Sequence, residues 1–182
     1  YFLQQSNTKP VVHQPVMKLP KSASLTVPFN IPHPDSALAV YFQGMDKTIK
    51  TAARYALYNQ LLSAPFYEML RTRQQRGYIV FSTPMNLMDV PALALVIQSP
   101  NTAAIELADH TENFLALFNA QLKEMTDQAF DKHVQALKST ILEKETRLSQ
   151  RSNRFWHEID RNNYAFDRRE RLANAVETYS LD

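Results

Sequence analysis

Proline divides this sequence before any other signal is consulted. Of its ten prolines, six (Pro10, Pro15, Pro20, Pro28, Pro32 and Pro34) lie in the first 35 residues. Proline removes a backbone donor and biases its predecessor towards extended backbone, so this stretch cannot form a helix or a central strand. It predicts an extended, Pro-rich linker from a preceding domain over residues 1–21, then an edge strand at Leu25–Phe29. The folded domain is expected over residues 22–182.

Beyond the prolines the hydrophobic period switches from two to nearly four. Ala37 to Gln43 alternates, with Val40 and Phe42 on one face and Ala39 and Tyr41 on the other, and Gly44 ends it. Thr48 to about Gln75 reads as helical, with Pro65 expected to split it in two and Gly77 to stop it. Tyr78–Met85 and Ala92–Ser99 read as an antiparallel hairpin turning near Asn86 and Asp89. Ser99-Pro100 then suits a helix cap and first turn, ahead of a stripe Ile105, Ala108, Leu115, Phe118, Leu122 and Met125. Thr126 can cap a second helix with stripe Phe130, Val134, Leu137 and Ile141. A third runs from about Arg147 through Phe155 and Ile159. The fold class is α+β: a two-layer sandwich of a mostly antiparallel four-to-six-stranded sheet with amphipathic helices on one face.

Composition excludes several chemistries. The chain has no cysteine and only two glycines, which rules out disulfides, thiolate sites, glycine-rich phosphate loops and Gly-x-Ser-x-Gly elbows. No apolar run approaches the ~20 residues of a membrane-spanning helix. The net charge of +2 does not imply nucleic acid, and the cluster Arg168, Arg169, Arg171 reads as a solvated helix face. A zinc helix needs two ligands one turn apart with a carboxylate nearby. His157-Glu158 starts such a pattern, but Arg161 stands where the second histidine belongs; His110 and His133 also fail, and His13 and His33 stand alone. This segment is expected to bind no metal.

The least ordinary stretch is Leu70–Phe81, LRTRQQRGYIVF, in which an Arg/Gln-rich helix end runs through Gly77 into an apolar strand led by Tyr78. Arginines at a helix C-terminus have a plain dipole explanation. In context, however, the junction resembles the one found in C-terminal domains of pitrilysin/insulysin-type (insulinase-family) zinc peptidases. Other landmarks follow in the family's order: Leu61 to Tyr67 before the junction, and Ile97-Gln98-Ser99 after it. Phe130 with His133 to Leu137, Phe155-Trp156, Glu158-Ile159 and Tyr164 to Arg168 complete the series. Gln74 and Arg76 depart from the family, which usually has an acidic and an apolar residue there.

The resemblance implies a peptidase built of two halves around a chamber, with zinc in the N-terminal catalytic half of the same polypeptide and a metal-free last domain facing it. Arg71 and Tyr78 match the residues that reach the active site from the opposite half. It implies that Arg71 binds peptide substrate and that Tyr78 donates to the transition state. The segment alone is expected to be inactive, to lie within a longer polypeptide, and to stop before the family's last helix. A processing-peptidase-like scaffold subunit is the alternative, and a basic nucleic-acid-binding module a more distant one. A periplasmic location is expected, with a cytoplasmic one as the alternative.

Overall fold

The computed structural model describes residues 16–21, 23–160 and 164–181. Strand β1 (Ser36–Gln43) is followed by helix α1 (Ile49–Tyr67), which passes into a π-helical segment, Glu68–Arg73. Strands β2 (Ile79–Leu87) and β3 (Val90–Ser99) come next, then helices α2 (Ala104–Lys123), α3 (Asp127–Ile141), α4 (Leu148–Asp160) and α5 (Arg168–Val176). The class is α+β as expected, but the sheet has three antiparallel strands among the described residues, in the order β1-β3-β2.

The missing strand is Leu25–Phe29. It joins no sheet, and Leu25 and Phe29 are 70% and 81% exposed. Pro28 has no donor to offer a ladder, and Pro32 and Pro34 continue that deficit up to β1. The entry segment is tied down instead by one side chain at the end of β1. Gln43 accepts from the Leu19 N–H at 2.9 Å and donates to the Met17 carbonyl at 3.0 Å. Residues 1–15 of the expected linker lie outside the described residues.

The hairpin register follows from its turn. Met88 and Asp89 both have positive φ, 47° and 67°, the conformation of a two-residue turn whose twist matches its strands. Pairing then runs from Leu87↔Val90 to Ile79↔Gln98. With β1 on the other side of β3, the inner face carries Leu38, Val40, Val80, Leu93, Leu95 and Ile97. Helices α1 and α2 pack on the sheet, and α3 and α5 pack on α1.

Pro65 does not break α1. It sits inside one continuous helix between buried Leu61, Leu62, Phe66 and Leu70. An interior proline costs about 3 kcal/mol, whereas burying four such side chains contributes about 1.5–3 kcal/mol each, so packing wins. The helix then widens rather than stopping, with the Gln74 N–H reaching the Met69 carbonyl at 2.9 Å. Gln75, with φ of 52°, makes the left-handed turn expected of Gly77. Gly77 is required for space instead: a Cβ there would lie 2.6 Å from the Gln98 carbonyl oxygen and 2.7 Å from Ile97 Cγ2.

Three further expectations shift. Ser99 caps a turn, not α2: its Oγ accepts from the N–H groups of Asn101 and Thr102, and the helix begins at Ala104. The buried stripe of α2 is Leu107, Thr111, Phe114 and Phe118, while Ile105 is 72% exposed. Phe114 sets that phase, because its ring meets Phe66 at 5.2 Å and Phe118 at 5.7 Å. Arg169 is not part of a solvated face. It pairs with Glu145 at 2.6 Å and donates to the Ile141 carbonyl at 2.7 Å, while Arg154 of α4 holds the same Glu145 at 2.7 Å. Thr126 caps α3 as expected, accepting from the Ala129 N–H, and Phe130, Val134 and Leu137 are buried.

Candidate functional site

The site grows out of the junction between the π-helical segment and β2. Leu70 is buried and anchors the widened turn. That leaves Arg71 on the adjoining side, half-buried at the wall of an open cavity of about 480 Å³. Tyr67, Thr72, Gln75, Tyr78 and Asn101 share this cavity, so the two residues singled out in the sequence open on one space. Gly77 makes this possible. With no side chain, it lets the chain pass against β3, where the Tyr78 N–H donates to the Gln98 carbonyl at 3.0 Å.

The charges at the junction are divided unequally. Arg73 is held by Glu68 at 2.7 Å. Among the described residues Arg71 has no carboxylate partner, and it is the cationic residue of those lining the cavity. Arg76 has its Nε buried with no hydrogen-bond partner among the described residues. An unsatisfied buried donor costs about 1–3 kcal/mol. Arg76→Leu is therefore expected to raise the domain's melting temperature by a few degrees, and an unchanged or lower value would show that the rest of the guanidinium compensates.

Tyr78 has a partner that the sequence did not suggest. Its phenol donates to Asp35 Oδ2 at 2.6 Å, and the Gln98 carboxamide donates to the same oxygen at 3.1 Å. The hydrogen bond to Asp35, reinforced by that carboxylate's charge, pushes the Tyr78 pKa above the ordinary phenol value. The same bond from Tyr78, with Gln98 and His33 assisting, holds Asp35 below the usual carboxylate range. Asp35 lies far from Tyr78 in sequence, just before β1, and only the β1–β3 pairing brings them together. Gln98 was legible in principle, because a two-residue turn at Met88-Asp89 fixes its place opposite Ile79.

Among the described residues no three His, Cys, Asp or Glu side chains are grouped so as to hold a metal ion. His13 and Arg161 lie outside the described residues. Among the described residues no helix is long and apolar enough to cross a membrane.

Comparison with known proteins gives the family. The family model for the PQQ synthase PqqF-like C-terminal lobe domain 4 matches residues 57–156, more than half of the chain. Human insulin-degrading enzyme is 34% identical over 136 residues, covering 75% of this chain and 13% of that protein. Schizosaccharomyces pombe mug138, whose name describes a zinc protease, is 32% identical over 133 residues, or 73% of this chain and 14% of that protein. The crystal structure of pitrilysin superposes with a TM-score of 0.74 at 26% identity, over 82% of this chain and 16% of that one. The chain thus spans a small part of the relatives it matches, and it belongs to the insulinase family of metallopeptidases as a C-terminal-lobe domain.

Proposed function

We propose that this domain forms one wall of a peptidase chamber, binding peptide substrate through Arg71 and donating a hydrogen bond from Tyr78 to the oxyanion of the transition state. Zinc is held by another domain of the same polypeptide, the N-terminal half, and this segment alone does not cleave peptides. The observation that carries this reading is the shared cavity: a guanidinium with no carboxylate partner among the described residues and a phenol lining one open wall, with the buried Leu70 and the tight Gly77 contact fixing their backbones.

The chemistry suits the residues. A guanidinium offers several fixed donors to peptide carbonyls, and it cannot lose its charge at any working pH. A phenol donates one strong hydrogen bond to a developing oxyanion, an interaction that gains strength once water is excluded. The cavity is open in this domain, so exclusion depends on the facing half closing over it.

The test is Arg71→Ala in the full-length polypeptide. We expect kcat/KM for a peptide to fall by roughly tenfold or more, the scale for losing a hydrogen bond from a charged group. Unchanged kcat/KM would mean that Arg71 serves only to favour the helix end.

A further inference from the structure

We infer that the Asp35 carboxylate is the resting partner of the Tyr78 phenol, a positioning residue that competes with the reacting substrate for the phenol's single proton. The inference rests on the reading of Tyr78 as an oxyanion donor and adds the group from which that donor must be released.

The geometry is specific. A phenol has one hydrogen to donate. Here that hydrogen is directed to Asp35 Oδ2 at 2.6 Å, within the short range of a hydroxyl bonded to an ionised acceptor. The acceptor is braced. Gln98 donates its side chain to the same oxygen at 3.1 Å, and its backbone carbonyl accepts from the Tyr78 N–H at 3.0 Å. One residue of β3 therefore fixes both Tyr78 and the carboxylate that holds it. The Asp35 backbone is fixed in turn, since its N–H donates to His33 Nδ1 at 3.1 Å and the next residue, Ser36, pairs with Ser99.

While the Tyr78–Asp35 bond stands, the phenol's one hydrogen is committed to the carboxylate, leaving a reacting substrate only oxygen lone pairs, which repel an oxyanion. Donation in the transition state requires the proton to turn from the carboxylate to the substrate. The cost of that exchange is set by how strongly the acceptor holds it, and an ionised acceptor holds it roughly twice as strongly as a neutral one. Asp35 also resists ionisation of the phenol, keeping the donor protonated to higher pH. The titratable and charged groups that face the pair are His33, which accepts from the Asp35 N–H and lowers the Asp35 pKa, and, across the cavity that Tyr78 lines, Arg71 and Tyr67; Gln98 from β3 is the neutral donor to Asp35.

The experiment uses Asp35→Asn in the full-length enzyme, which keeps an acceptor of the same shape but removes its charge. With a peptide substrate, kcat is expected to rise by about three- to tenfold with KM within about twofold. The alkaline limb of the kcat–pH profile is expected to move to lower pH, because the charge that opposed phenol ionisation is gone. Asp35→Ser, with a shorter side chain, should act in the same direction, and a melting curve for each variant checks folding. In a Tyr78→Phe background the gain should disappear. If kcat falls or stays unchanged in both Asp35 variants while Tyr78→Phe alone still loses about 10²-fold, the inference is overturned and the donor role of Tyr78 stands. If the gain persists in the Tyr78→Phe background, Asp35 acts by another route and the inference is again overturned. If Tyr78→Phe alone changes kcat by less than about twofold, the donor role itself fails and takes the inference with it.

Discussion

Tyr78→Phe in the full-length enzyme is expected to lower kcat by roughly 10²-fold and leave KM within about twofold, the signature of a donor used only in the transition state. The substitution removes one oxygen and one hydrogen bond, and little else depends on them. The ring is 45% exposed and lies outside the buried core, so the melting temperature should change by no more than about a degree. What is lost in the resting protein is the bond to Asp35, which keeps Gln98 as a donor and remains open to water. A drop in kcat therefore cannot be assigned to unfolding. The measurement is steady-state cleavage of a peptide by purified wild-type and variant enzyme, with circular dichroism melts alongside. A kcat within about twofold of wild type would sink the assignment of Tyr78.

How much of this was legible in the sequence depends on the range of the interaction. Period and punctuation placed β1, the β2–β3 hairpin and helices α1 to α4, because those signals act over a few residues. They failed where tertiary packing outweighed a local preference. Pro65 should end a helix, but the buried residues on either side carry α1 through it. Gly77 should supply a left-handed turn, but Gln75 makes that turn, and Gly77 is there because β3 passes too close for a side chain. The stripe on α2 was out of phase at its start, since Ile105 is as apolar as Leu107 and only the Phe66 and Phe114 rings decide which side faces in.

The candidate site shows the same division. Arg71 and Tyr78 were found through a resemblance carried by a contiguous motif, and the fold places them on one cavity. Asp35 was not found. It belongs to a Pro-rich segment with no motif, and its role comes from β1 pairing with the strand that carries Gln98. No local pattern encodes a contact made across two strand registers. Arg169 was misread for a similar reason. In sequence it is one of three arginines near Asp167 and Glu170, yet in the fold it bridges to Glu145 and to the Ile141 carbonyl at the end of α3.

The second large effect is expected at Gly77, where packing and chemistry meet. Gly77→Ala would place a methyl group 2.6 Å from the Gln98 carbonyl oxygen and 2.7 Å from Ile97 Cγ2, distances real Cβ atoms essentially never show. Neither neighbour can yield cheaply. Ile97 is fully buried, and the Gln98 carbonyl accepts the Tyr78 N–H, so moving it breaks the bond that seats Tyr78. Overpacking of this kind costs about 1–3 kcal/mol, or several degrees in melting temperature for a domain of this size. The strain is relieved most directly by pushing the 77–78 backbone away from β3, and a displacement on the order of 1 Å at a reacting group costs up to about 10²-fold in rate. Gly77→Ala should therefore lower both stability and kcat, with KM changed much less. Combined with Tyr78→Phe, the stability loss should remain in full, while kcat should fall little below that of Tyr78→Phe alone, because the donor that Gly77 positions is already absent. If the two losses in kcat multiplied instead, Gly77 would be acting on some other part of the site. If Gly77→Ala left both melting temperature and kcat at wild-type values, β3 would have room to retreat, and the close approach would not be what holds Tyr78 in place.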